Sequence, residues 1–162
     1  GINENISWAM PSCRSSLFFV RMKIAARAII VHEEKILLVR HKGSDFFALP
    51  GGRLDEGEDI QHCLRRELAE EFGVLNAGIE RLRYIQEFFY TNGDGKYCLE
   101  FFFIVNNPQD FLGELSGDHA AEELEEIRWV HKDEMGRVLP EFLATDFKRG
   151  VLLDDRIDYM SR

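Results

Sequence analysis

Residues 67, 70 and 71 of this chain are all glutamate. In a helix that spacing, i, i+3 and i+4, sets three carboxylates on one face, where they repel one another. A helix tolerates the arrangement best when positive charge sits between them. Hard divalent cations such as Mg2+ suit such a place, because they take oxygen ligands, typically a few carboxylates together with substrate phosphate. The residues around the three repeat the theme: Gly51-Gly52, a lone Glu58, Arg66 directly before Glu67, and Gly73 closing the run. The stretch reads as a metal site for phosphate chemistry. The plain alternative is a solvated acidic helix face, with Arg66 in an ordinary surface pair with Glu70.

Such a face works only if its helix is held by an opposite, buried side. Leu64, Leu68 and Phe72 recur at i, i+4 and i+8, which predicts a helix over about 59–72 with an apolar stripe and with Gly73 as its stop. The acidic loop 53–58 leads into it. Upstream, residues 23–32 read as a buried strand, Glu33-Glu34 as a tight turn and 35–41 as the hairpin partner. Residues 42–45 read as a loop and 46–49 as a short strand ending at Pro50, after which Gly51-Gly52 turns the chain. Downstream, 79–91 and 96–105 are aromatic-rich strands joined by Asn92-Gly93-Asp94-Gly95, a hairpin signal. A long polar loop is expected over 106–124, a strand over Leu124–Val130, and a helix over about 132–145, interrupted or restarted near Pro140. This gives a mixed sheet with a helix on each side.

The bulk numbers fit one soluble domain. The chain has 162 residues, 45% hydrophobic and 30% charged, enough for a real core. The division expected is an extension or cloning remnant over 1–21, a domain over 22–145, and a tail over 146–162 that packs on or extends the domain. Met10 and Met22 are both candidate starts. A net charge of -9 argues against stable nucleic-acid binding, which needs a basic surface. Phosphate substrates stay open, since cations bridge carboxylates to polyphosphate. Cys13, Cys63 and Cys98 form neither a disulfide framework nor a zinc pattern, and read as reduced structural thiols of a cytoplasmic protein. No apolar run reaches membrane-spanning length, and 17–20 is too short for a signal-peptide core.

Gly52, Glu58, Arg66, Glu67, Leu68, Glu70, Glu71, Gly73 and Val74 also match, position for position, the signature of the Nudix hydrolases: Gly, five residues, Glu, seven residues, Arg-Glu, an aliphatic, any residue, Glu-Glu, any residue, Gly, an aliphatic. At ordinary residue frequencies the chance of that match is below about one in ten million, so composition does not explain it. The resemblance covers most of 22–145, with further signs in the hairpin before Leu49-Pro50-Gly51-Gly52 and in the 126–130 run. It implies an α/β fold, the α/β/α sandwich of the family with a mixed sheet between helices, and hydrolysis of a phosphoanhydride in a nucleoside diphosphate linked to a group X. It implies Mg2+, with Mn2+ able to substitute, on Glu67, Glu70, Glu71 and the Gly52 carbonyl, with Glu58 and Arg66 as an internal ion pair. The general base is then Glu67 or a late-loop carboxylate, Glu122 or Glu123; Asp118 and His119 are weaker candidates.

Arg27, Arg40 and Lys42 are candidates for phosphate because guanidinium suits bidentate recognition. Tyr90 stands 17 residues beyond Gly73 (90 minus 73), a spacing similar to that of a base-stacking Tyr in diadenosine polyphosphate hydrolases. Phe88, Phe89 and Tyr90 read equally well as strand core. ADP-ribose pyrophosphatases often carry a Pro at a similar distance, and none stands between 74 and 107. A MutT-like enzyme for nucleoside triphosphates, including oxidised ones, also fits. Two other classes remain: a nucleotide-binding sensor on the same fold, and an isoprenoid diphosphate isomerase, for which Cys63 or Cys98 would have to serve. Many family members dimerise, so a homodimer is expected, with a nucleotide-type small molecule as substrate.

Overall fold

The structure, a computed structural model, describes residues 22–90, 96–114, 117 and 120–161, without the side chains of Tyr90, Ala120 and Ala121. The 92–95 turn, Asp118, His119 and the 1–21 segment lie outside the described residues.

Two sheets share the core. The larger is mixed and runs β4-β1-β6-β5-β8, from β1 (Met22–Ile29), β4 (Gly51–Arg53), β5 (Ile79–Tyr90), β6 (Lys96–Val105) and β8 (Asp158–Ser161). The smaller is antiparallel and runs β2-β3-β7, from β2 (Val31–His32), β3 (Lys35–His41) and β7 (Leu124–His131). The strand expected over 23–32 therefore breaks after Ile29 and serves both sheets. Its hairpin turn is built by Glu33 and Glu34, at φ 48° and 62°, the left-handed pair that a two-residue hairpin demands.

One helix lies on each side. Along β3, Leu37 and Val39 face one core cluster while Ile36 and Leu38 face the other, as a strand buried on both faces requires. The first cluster takes Cys63, Leu64, Leu68 and Phe72 of α1 (Ile60–Phe72). The second takes Leu143 and Phe147 of α3 (Phe142–Lys148). At α1 the Asp59 side chain accepts from His62 N at 2.8 Å, and Gly73 closes the helix at φ 72°. Such a cap is worth ~0.5–2 kcal/mol. Each fully buried Leu or Phe is worth ~1.5–3 kcal/mol, so packing dominates in fixing α1.

Four expectations are corrected. Gly51-Gly52 is not a turn but β4, antiparallel to β1 with Ala26 opposite Gly52 and Arg27 opposite Gly51. Residues 46–49 form isolated bridges rather than a strand. The loop over 106–124 contains a 3-10 turn, Pro108–Phe111, and a short helix α2 (Ala120–Glu123). The helix over 132–145 is confined to α3, because Phe47 holds the chain extended: its N–H donates to Arg137 O and its carbonyl accepts from Leu139 N, both at 2.9 Å. α3 runs through residue 145, and β8 pairs in parallel with β5, so the C-terminal segment adds a strand to the larger sheet. Among the described residues no helix is long and apolar enough to cross a membrane.

Candidate active site

Arg66 organises the loop and the glutamate face together. Its Nε donates to Glu58 Oε2 at 3.0 Å and its Nη2 to Glu58 Oε1 at 2.7 Å, a two-point pair. Nη2 also donates to the Arg53 carbonyl at 3.0 Å, while Nη1 reaches Glu67 at 3.0 Å and Glu70 at 3.3 Å. The hydrogen bonds from Arg66 hold the Glu58 carboxyl at about 2, helped by the Asp55 N–H, which donates to it at 2.8 Å. The same contacts raise Arg66 above its ordinary value. Both readings of Arg66, the internal pair with Glu58 and the i, i+4 pair with Glu70, are present at once.

Glu71 differs from its neighbours. It is 5% exposed, and it accepts from the Gly51 N–H at 3.4 Å. Burial pushes its carboxyl up to about 8, and the charge of Glu67 adds to the effect. Burial also raises Glu67, against the pull of Arg66. The Glu67 carboxylate lies against Gly52: a Cβ there would stand 2.4 Å from Glu67 Cδ and from Oε1. The Gly52 carbonyl accepts from the Cys63 thiol at 3.7 Å, and burial lifts that thiol to about 12.

The donor set of Glu67, Glu70, Glu71 and the Gly52 carbonyl is all hard oxygen, which suits Mg2+ or Mn2+. Glu71, which accepts a backbone N–H and among the described residues forms no ion pair, is the kind of buried carboxylate that a cation would relieve. Among the described residues, however, no three His, Cys, Asp or Glu side chains already converge on one point, because Arg66 draws Glu67 and Glu70 toward itself. Gathering the three requires Glu67 and Glu70 to swing toward Glu71.

The late loop comes down on the same helix. A Cβ at Gly117 would stand 2.1 Å from the Glu70 carbonyl and 2.4 Å from that of Glu71, so this loop touches the α1 backbone just where the glutamates sit. α2 follows at once, carrying Glu122 and Glu123, both exposed. Lys42 N donates to the Glu123 carbonyl at 3.1 Å. The Glu123 charge acts on both Glu71 and His41.

Beside these groups a cavity of about 250 Å³ opens on the α3 side of the larger sheet. Arg27, His41, Gln86, Phe88, Glu100 and Phe102 are among its walls. Arg27 links the cavity to the glutamates: it pairs with Glu100 at 3.3 Å, and its charge draws Glu67 and Glu71 down against the larger effect of burial. Burial and the Arg27 charge lower His41. Arg40 lies elsewhere, bonded to Glu126 at 3.3 Å and to the Ser44 carbonyl at 3.4 Å. Tyr90 ends β5, two residues beyond Phe88.

Sequence reasoning missed His41, Gln86 and Glu100. The signal was parity. Gln86 alternates in step with Tyr84 and Phe88, and Glu100 with Cys98 and Phe102, so two polar residues occupy inward positions of aromatic strands.

Over residues 22–153 the chain matches the family described as NUDIX domain, and it belongs to that family. It is 37% identical over 60 residues to an ADP-ribose pyrophosphatase of Methanocaldococcus jannaschii, spanning 35% of this chain and 36% of that protein. It is 34% identical over 89 residues to an 8-oxo-dGTP diphosphatase of Haemophilus influenzae, spanning 53% of this chain and 60% of that protein. The chain thus spans less than two thirds of these curated relatives. A crystal structure of a MutT NUDIX hydrolase from Burkholderia pseudomallei superposes with TM-score 0.60 at 21% identity, over 79% of this chain and 97% of that one, and shares the fold.

Proposed function

We propose that this chain is a divalent-cation-dependent pyrophosphohydrolase that cleaves a phosphoanhydride bond in a nucleoside diphosphate linked to a group X. The observation that carries the reading is the buried Glu71, on one helix face with Glu67 and Glu70, beside a cavity whose wall includes Arg27. Mg2+, or Mn2+ in its place, held by Glu67, Glu70, Glu71 and the Gly52 carbonyl, supplies the charge that a diphosphate needs to be held and polarised.

The chain's own groups do the rest. Arg27 meets the diphosphate from the cavity side. The Glu58–Arg66 pair fixes the direction of the carboxylates. A water oxygen forms a bond to phosphorus, the bridging P–O bond breaks, and the water's proton passes to a carboxylate. Glu123 is the base favoured here, since its charge reaches Glu71 and its helix follows the loop seated on α1. Glu122 and Glu67 are the alternatives, and Glu67 is held by Arg66. Tyr90 is the candidate to stack on a base, whereas Arg40 would have to leave Glu126 to meet phosphate. A homodimer in the cytoplasm belongs to the same reading, and sedimentation of the purified protein tests the assembly.

The test is a panel of nucleoside triphosphates, dinucleoside polyphosphates and nucleotide sugars with Mg2+, products identified by mass spectrometry. Release of a nucleoside mono- or diphosphate supports the reading. Tight binding across the panel with no turnover would replace it with a sensor. One observation favours an isomerase: Cys98 Sγ donates to Glu100 Oε1 at 3.9 Å, a Cys–Glu contact beside the cavity. Burial lifts that thiol to about 11, which weighs against it. Product analysis with isopentenyl diphosphate separates the two.

A further inference from the structure

The face of the larger sheet that floors the cavity carries two acceptors side by side. Gln86 on β5 and Glu100 on β6 are register partners, which puts their Cβ atoms about 4.5–5.5 Å apart on one face. Both are buried, at 3% and 8% exposure, and both line the cavity. Among the described residues the side-chain oxygen of Gln86 is a buried acceptor with no hydrogen-bond partner. A buried acceptor left unpaired is unfavourable, so a ligand N–H donor at this atom would be favoured. Glu100, when ionised, is an acceptor only. Its Oε2 accepts from Arg27, and among the described residues its Oε1 meets the Cys98 thiol, at 3.9 Å.

The cavity's size narrows the occupant. At about 250 Å³ it lies below the ~300–1,000 Å³ range of pockets that enclose whole drug-sized ligands. It takes part of a nucleotide, and its aromatic walls, with Phe88 and Phe102 among them, suit the flat part, since bases stack favourably on aromatic side chains. Arg27 pairs with Glu100 on this floor and its charge reaches Glu67 and Glu71, so phosphates drawn to Arg27 from a base lying here point toward α1.

Resting on the pyrophosphohydrolase reading for the position of the phosphates, we propose that this cavity is a nucleobase subsite in which Gln86 and Glu100 read an edge carrying adjacent N–H donors, the edge of a guanine-type base. Guanine presents a ring N–H next to an amino group, two donors for two acceptors. Adenine presents one amino group flanked by ring nitrogens that are themselves acceptors, and one of these would face the Glu100 carboxylate unpaired. A site built to hydrogen-bond a donor rejects the analogue lacking it far more strongly than an apolar pocket rejects a change of shape.

Binding, not turnover, tests this. Guanosine, inosine and adenosine 5′-monophosphates and ribose 5-phosphate are titrated calorimetrically into the full-length protein with Mg2+ present. The expected order is guanosine, then inosine, which keeps the ring N–H and lacks the amino group, then adenosine, with at least about tenfold between the first and last. Gln86→Leu is expected to remove most of that preference, and Phe88→Ala to weaken all three bases alike while keeping their order. Circular dichroism and the affinity for ribose 5-phosphate show whether each variant is folded. Equal affinity for guanosine and adenosine monophosphates, a preference unchanged in folded Gln86→Leu, or bases no tighter than ribose 5-phosphate would overturn the proposal. Preference for guanosine with no hydrolysis of any nucleotide would instead sink the pyrophosphohydrolase reading and leave the subsite standing.

Discussion

Burial lifts the Glu71 carboxyl from 4.5 to about 8, because the water that would solvate its charge is excluded and Glu67 adds negative potential. The folded state therefore prefers this group neutral. Without a cation, its contribution to stability is full below pH 4.5 and is lost as the pH rises through about 8. Glu71→Gln removes the charge, so the cation-free variant should melt several degrees above wild type at pH 9 and close to it at pH 4, read by scanning calorimetry. The same change should lower kcat by about 10²-fold or more, and Mg2+ should raise the melting temperature of wild type more than that of the variant. Glu58 meets the glutamate face through Arg66. Glu58→Gln should keep the fold and cost about 10–100-fold in Mg2+ affinity or activity, measured by Mg2+ titration of the rate. The ligand candidates were legible because helical spacing turns sequence distance into spatial neighbourhood. Gln86 and Glu100 were not, because they lie 14 positions apart by number (100 minus 86) and only the β5–β6 register brings them together.

At the scale of elements, β4 shows how two adjacent glycines serve different ends. Gly51 has φ 136°, and a Cβ there would stand 2.0 Å from the Ala26 carbonyl of β1. Gly51→Ala should therefore destabilise the fold by about 1–3 kcal/mol through a clash with backbone that cannot move aside. At Gly52 the clash is with the end of the Glu67 side chain, which can swing. Gly52→Ala should leave chemical denaturation nearly unchanged and depress kcat. If both variants lose stability equally, this division of labour is wrong. The Gly-Gly pair reads as a turn in the sequence because the signal for close backbone approach is the same residue type. The over-long helix after β7 has a different cause. Met135 and Val138 are buried, as a helix stripe would be, but Gly136 at φ 61° and the pairing of Phe47 with Val138 bury them from extended and turning chain. Helical periodicity cannot see a bridge to a residue some ninety positions away.

For the whole molecule, the C-terminal segment is tied down by a side chain with no exposure at all. Arg83 Nε donates to the Leu152 carbonyl at 3.0 Å, Nη2 to that of Val151 at 2.8 Å, and Nη1 to Asp158 Oδ2 at 2.7 Å. The hydrogen bond from Arg83 is the largest cause holding Asp158 below its ordinary 3.8. A lowered carboxylate stabilises the fold above its ordinary value, and that contribution is lost as the pH falls through the lower one. The protection factors of the 158–161 amides, exchange rates corrected for the intrinsic pH dependence, should therefore fall below about pH 4, and Asp158→Asn should show the reduced protection already at pH 7. Unchanged protection in the variant would show that the carbonyl contacts suffice. This anchoring was beyond sequence reasoning, which saw a tail that packs on or extends the domain and had no means to pair an arginine in the middle of an aromatic strand with residues some seventy positions on.

β8 lies directly against the strand that carries Gln86, with Met160 opposite it. Asp158–Ser161 thus brace the wall of the cavity from behind, on the far side from the glutamates. Substitutions in β8 would therefore retune which small molecule the cavity accepts while leaving the glutamate face of α1 untouched.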